Sequence, residues 1–188
     1  GRSFMIKGKT VGVLGLGHIG KKVTALTTAF GANVIYYDIV RQTEQEEKFG
    51  YRFVDFDTLL RESDIYTIHC PLNEETRGMI GAAQFAKMKP TAMLINTARG
   101  PIVDEAALVD ALTTGKIATA GLDTYEHEPL PKDHPLWDTK NLLLTPHISG
   151  NMSLGITCDR DVALFCEDLK NFASGKKLKR FVDRSLGY

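Results

Sequence analysis

Short apolar, β-branched runs alternate with longer stretches of helical spacing through most of the chain. The runs are Thr10–Leu14, Asn33–Tyr37, Tyr51–Phe53, Ile65–His69, Met93–Asn96, Ile117–Leu122 and Leu142–Thr145. Several are apolar on consecutive positions rather than on every second one. Strands covered on both faces have this pattern, and such strands belong to parallel sheets. Between them, helical spacing predicts elements over Ile19–Phe30, Glu44–Phe49, Phe56–Arg61, Ala82–Met88 and Glu105–Thr113. Asp104 is placed to cap the last of these and Gly115 to stop it. Strand and helix in alternation predict an α/β fold built as a doubly wound parallel sheet.

After Gly150 the pattern changes. Met152–Ser174 reads as one long C-terminal helix, with Val162, Leu164, Phe165, Leu169 and Phe172 lining an apolar stripe. The tail Gly175–Tyr188 is basic at first and then mixed. No internal repeat or low-complexity linker interrupts the chain. The expected division is one domain over 1–174 and a tail over 175–188.

Composition narrows the picture. The 188 residues are 43% hydrophobic, enough for one good core and short of two full domains. Lysines plus arginines number 23, as do aspartates plus glutamates. A neutral balance gives no electrostatic footprint for nucleic acid or an anionic membrane, so neither is expected as a partner. No apolar run approaches the roughly 18 residues of a membrane helix. Gly1 to Thr10 lack the apolar core of a signal peptide. The three cysteines, Cys70, Cys158 and Cys166, have no CxxC spacing. They read as reduced thiols in a cytoplasmic protein, with neither a disulfide framework nor a metal site.

Gly15-Leu16-Gly17-His18-Ile19-Gly20 is a GxGxxG sextet. Its context makes it informative, because it follows a predicted strand and opens a predicted helix. The first glycine permits a tight turn. The second lets a pyrophosphate approach backbone at the positive end of the helix dipole, and the third allows helix and strand to pack closely. Asp38 ends the second strand, 18 residues past Gly20, where a carboxylate accepts from adenine-ribose hydroxyls. This is a Rossmann-type signature for a dinucleotide. Asp38 favours NAD over NADP, while Arg41 nearby leaves room for a 2′-phosphate.

Three later segments each end a predicted strand with a reactive residue: Ile95-Asn96-Thr97-Ala98-Arg99-Gly100, Gly121-Leu122-Asp123-Thr124-Tyr125-Glu126-His127-Glu128-Pro129-Leu130, and Leu144-Thr145-Pro146-His147-Ile148-Ser149-Gly150. Ligands of open α/β sheets bind beyond the carboxyl ends of strands, so all three are placed to face one crevice. Arg99 offers a planar fork of donors for a carboxylate and a carbonyl. His147 can supply a proton near neutral pH. A carboxylate such as Glu128 would favour its imidazolium form. Hydride transfer to a 2-oxo acid needs these three groups.

In this order, NTARGPIVDEAAL, GLDTYEHEPLP and LLLTPHISG after the glycine loop resemble the D-isomer-specific 2-hydroxyacid dehydrogenase family. The resemblance runs from about Ile6 to Tyr188. It implies an NAD-dependent oxidoreductase in which Arg99, Glu128 and His147 are catalytic. Glu126 is the rival for Glu128, but the residue directly before the proline matches better. Gly15, Gly17, His18, Ile19, Gly20 and Asp38 would hold the cofactor. So would His69, Cys70, Pro71 and Thr76, from a segment that resembles the family loop beside the cofactor. Thr97, Ala98, Arg99, Asp123, His147 and Gly150 complete the expected contacts. Trp137 reads as packing or a subunit contact.

The resemblance also implies a homodimer and a small 2-oxo or 2-hydroxy acid substrate. It further implies a substrate domain that would precede Lys7–Leu14 and is not among these residues, so a chain of this length is expected to bind NAD and turn over poorly. The alternatives are an NAD(H)-sensing regulator of the corepressor kind and another enzyme of the same fold, such as a methyltransferase.

Overall fold

The computed structural model describes residues 5–150 and 155–181. The chain divides into two compact units, 1–146 and 147–188.

The first unit is built on seven strands: β1 Thr10–Leu14, β2 Asn33–Tyr37, β3 Arg52–Phe53, β4 Ile65–Ile68, β5 Met93–Asn96, β6 Thr119–Leu122 and β7 Leu142–Leu144. All pair in parallel, in the order β3-β2-β1-β4-β5-β6-β7. The order reverses between β1 and β4, which makes that edge a topological switch point of a doubly wound sheet. Five helices connect the strands: α1 His18–Ala29, α2 Thr43–Phe49, α3 Phe56–Glu62, α4 Ala82–Phe85 and α5 Glu105–Thr113.

Consecutive apolar residues in the strands are explained by two cores. Val11 and Val13 of β1 and Val34 and Tyr36 of β2 join one cluster, while Leu14 and Ile35 join the other. Neighbouring residues therefore point to opposite faces, and each face is covered. The larger cluster also takes Leu59 and Leu60 from α3, Phe85 from α4 and Leu108, Ala111 and Leu112 from α5. At Gly12 the C-terminal end of α3 packs tightly on the sheet. A β-carbon there would lie 1.8 Å from Ser63 Oγ.

Asp104 caps α5 as expected, its carboxylate accepting from the Ala107 N–H. Gly115 takes φ +72 just past the helix. Two predicted elements are shorter than expected by two residues or more, while three strands each lose one terminal residue. Ala82–Met88 holds only the single α-turn Ala82–Phe85. Lys87 and Met88 then donate to the carbonyls three residues back, and Pro90 forbids continuation. The Ile117–Leu122 strand begins at Thr119. Lys116 donates back to Ala111 O, so Ile117 is buried beneath the end of α5 before pairing starts.

In the second unit, α6 spans Gly155–Ala173. The start of the predicted helix, 152–154, lies outside the described residues, as does the end of the predicted tail, 182–188. Val162, Phe165, Leu169 and Phe172 share one side of α6 and are exposed. The chain after α6 folds back on it: Lys179 N–H donates to Asp168, and the Arg180 guanidinium pairs with Glu167 and Asp168. No helix among the described residues is long and apolar enough to cross a membrane.

Leu108 is fully buried in the larger core. Leu108→Ala is expected to lower unfolding free energy by about 2–5 kcal/mol, read as a shift in the urea midpoint. A loss below about 1 kcal/mol would mean that α5 does not carry the core at that point.

Candidate active site

The candidate residues of the first unit lie where strands β1, β2, β4, β5 and β6 end, on one edge of the sheet. β1 runs into Gly15, which takes φ +91 and donates its N–H to Tyr37 O at 2.9 Å. A side chain at Gly15 would be strained by that φ. It would also strike the segment after β4, since a β-carbon would lie 2.6 Å from Cys70 N. Gly20, in the first turn of α1, is equally closed, with a β-carbon 2.2 Å from Gly15 O.

Gly17 differs from both. It is the N-cap of α1 with φ −75, and a β-carbon there would meet nothing within 4 Å. The fold therefore leaves a gap where the sequence has glycine. No side chain caps α1, and its first turn holds no acidic residue. His18 and Ile19 in that turn are exposed. The N–H groups and the positive dipole end remain available to an anion, so the residues present fit a pyrophosphate.

The turn is held by Asp38. One carboxylate oxygen accepts from Leu16 N–H at 2.6 Å, and the other from Val40 N–H at 3.0 Å. Each oxygen keeps acceptor capacity for a ribose hydroxyl. Beyond it, Arg41 makes a forked pair with Glu46, through Nε at 2.9 Å and Nη2 at 2.8 Å. Glu46 also accepts from Tyr36 OH at 2.7 Å, and Tyr36 OH accepts from Gln42 N–H. The Arg41 and Tyr36 hydrogen bonds hold the Glu46 carboxyl down at about 2. Burial, reinforced by Glu46, pushes the Tyr36 phenol up to about 12.

Past β4, His69 N–H continues the ladder to Leu14 O, and its ring shares a 2.9 Å hydrogen bond with Thr67 Oγ1. Burial lowers the His69 pKa, favouring the neutral ring. Burial pushes the Cys70 thiol up to about 11, so it is no thiolate nucleophile. The Thr76 hydroxyl is used in building its own loop, donating to Pro71 O and accepting from Asn73 N–H.

β5 ends at Asn96, whose buried amide folds the next turn. Its Oδ1 accepts from Ala98 N–H at 3.0 Å and its Nδ2 donates to Arg99 O at 2.9 Å. Thr97 and Ala98 are half-buried in that turn, and Arg99 is exposed with Nη1 on Ala98 O. A β-carbon at Gly100 would lie 2.0 Å from the Tyr125 carbonyl carbon. The Arg99 segment is thus packed against the loop that carries Glu128.

That loop is pinned at several points. Asp123 is buried, receives Thr145 Oγ1 on its carboxylate, and donates its own N–H to Asn96 O. Glu128 accepts from Tyr125 N–H at 3.0 Å, and Tyr125 OH donates to Thr145 O at 2.8 Å. Glu105, 8% exposed at the start of α5, accepts from Glu126 N–H at 2.8 Å and faces His134 Nε2 at 3.4 Å. Sequence reasoning missed Asn96, Glu105 and Glu46. The polar Asn96 ending an apolar run was the one available signal.

His147 and Gly150 belong to the second unit and are exposed. His147 takes φ +54; among the described residues only Asn141 is another non-glycine with positive φ. Such a conformation is uncommon outside glycine, and strained backbone gathers at functional sites.

The family model described as D-isomer specific 2-hydroxyacid dehydrogenase, NAD binding domain, matches residues 2–149. The chain belongs to this family. Glyoxylate reductase of Aeropyrum pernix is 44% identical over 181 residues, covering 96% of this chain and 53% of that protein. D-lactate dehydrogenase of Lactobacillus jensenii, solved with NAD+, superposes with a TM-score of 0.86 at 39% identity, over 97% of this chain and 58% of that one. A probable 2-hydroxyacid dehydrogenase of Rhizobium etli, solved with NADP, HEPES and L(+)-tartaric acid, superposes at 0.84 with 31% identity, over 100% and 59%. The chain spans about half the length of the Aeropyrum relative.

The gap at Gly17 gives a direct test. Gly17→Ala is expected to leave stability within about 0.5 kcal/mol but weaken NADH binding, because only the cofactor would occupy that space. Gly20→Ala is expected to lose both. Calorimetric titration beside urea unfolding separates the two, and undiminished NADH affinity in Gly17→Ala would place the pyrophosphate elsewhere. A second expectation concerns acid. Because the Glu46 pKa is depressed when folded, the stability it confers is complete above its ordinary 4.5 and is lost as pH falls toward about 2. The stability difference between the unaltered chain and Glu46→Gln should therefore shrink through that window in urea titrations.

Proposed function

We propose that the protein is an NAD(H)-dependent oxidoreductase that interconverts 2-oxo acids and D-2-hydroxy acids. The reading is carried by Arg99, set at the end of β5 by Asn96 and packed against the Glu128 loop, on the same sheet edge as the uncapped α1. NAD, when bound, supplies or accepts the hydride at its nicotinamide. The glycine loop and α1 N-terminus hold its pyrophosphate and Asp38 its adenine ribose. His69, Cys70, Pro71, Thr76, Thr97, Ala98 and Asp123 line its path, and Gly150 is a further proposed contact.

Arg99 holds the substrate carboxylate and polarises the 2-oxo group with its planar donors. His147 delivers a proton to the alkoxide oxygen in reduction and removes it in oxidation. Glu128 is the third catalytic residue of the proposal. The glyoxylate reductase relative makes short 2-oxo acids the first substrates to test. A homodimer and a cytoplasmic setting complete the proposal.

The test is NADH oxidation by the whole protein with glyoxylate, hydroxypyruvate and pyruvate. Arg99→Gln should cut kcat/KM by about a hundred- to a thousand-fold while leaving NADH affinity within about two-fold. Undiminished turnover in Arg99→Gln, or no turnover of any 2-oxo acid by the unaltered protein, would refute the proposal.

A further inference from the structure

The family fold accommodates both dinucleotides, since solved members hold NAD+ in one case and NADP in another. The two differ only by a 2′-phosphate on the adenine ribose. What this chain presents to that phosphate decides between them. Asp38 would repel it. Ile39 and Val40, the next two residues, are exposed and offer no polar side chain. Arg41 is the first cation after them, and in this fold an arginine near the ribose is the usual way to accept a 2′-phosphate.

Arg41 is already engaged. Its Nε and Nη2, one of the two donor edges of the guanidinium, both donate to Glu46. The Arg41 guanidinium carbon lies 5.6 Å from the centre of the Phe53 ring. Glu46 is itself anchored in α2 and held by Tyr36 OH, which also receives Gln42 N–H. For Arg41 to turn that edge toward a phosphate it must leave a forked ion pair whose carboxylate is held by Tyr36.

We infer that Glu46 is a positioning residue for dinucleotide preference: it holds Arg41 away from the ribose edge and so selects against NADP(H). This rests on the NAD-binding reading above. Asp38 repels the 2′-phosphate, and Glu46 withholds the cation that would offset that repulsion. Its carboxylate charge persists at any working pH, because Arg41 and Tyr36 hold it ionised.

Glu46→Gln tests this with the same side-chain shape. The glutamine oxygen can still accept from Tyr36, but the charge that retains Arg41 is gone. NADP+ is titrated against bound NADH, followed by nicotinamide fluorescence. NADP+ affinity should rise about two- to five-fold, the scale of a partly exposed ion pair, with NADH affinity held within about two-fold. The gain should fade in high salt and vanish when Arg41→Gln is added. Arg41→Gln alone should leave NADP+ affinity unchanged, and this variant serves if Glu46→Gln does not fold. Unchanged NADP+ affinity in Glu46→Gln, a gain that survives Arg41→Gln, or weaker NADP+ binding in Arg41→Gln alone would each overturn the inference. Failure of the unaltered chain to bind NADH would instead overturn the NAD reading and the inference with it.

Discussion

Parallel pairing is the constraint from which the rest of the first unit follows. All seven strands run the same way, so every carboxyl end emerges on one edge. Each connection must cross a face to return, which covers both faces and forces consecutive apolar residues into the strands. The opposite edge receives only returning chain. Glycine loop, Asp38, Arg99 and Glu128 are far apart in sequence, yet the direction of the strands alone brings them to one side.

What refines that side is a set of polar side chains bonded to backbone rather than to one another. Asp38 takes the N–H of Leu16, Asn96 folds the turn before Arg99, and Glu105 reaches from α5 to the loop of Glu128. Each satisfies N–H or carbonyl groups that an irregular loop would otherwise leave bare. Loops tied this way are kept in one shape without regular pairing. A reacting group can then be placed with strand-like accuracy on a turn.

The fold was legible because its signals are local. Strand positions in β1, β2 and β5 followed from apolar runs, and the α5 cap from Asp104 alone. The places of the glycine sextet and Asp38, just past β1 and β2, were legible because spacing fixes where those strands end. The errors arose where a distant or later residue decided. Pro90 cut α4 short, and the turn after α5 drew Ile117 out of β6 and under the helix. Asn96, Glu105 and Glu46 were missed for a related reason. Their bonds run to Arg99, Glu126 and Arg41, and nothing in the identity of an asparagine or glutamate announces which backbone or guanidinium it will meet.

The gap beside Gly17 bears on how such a chain changes over generations. Gly15 and Gly20 are kept small by their own protein, since a β-carbon at either would strike backbone. Nothing among the described residues keeps Gly17 small. Only an occupant can, so selection at Gly17 lasts as long as the occupant does. In a descendant that kept the fold and abandoned the cofactor, the sextet would not decay evenly: its middle glycine would drift first while its outer two stayed.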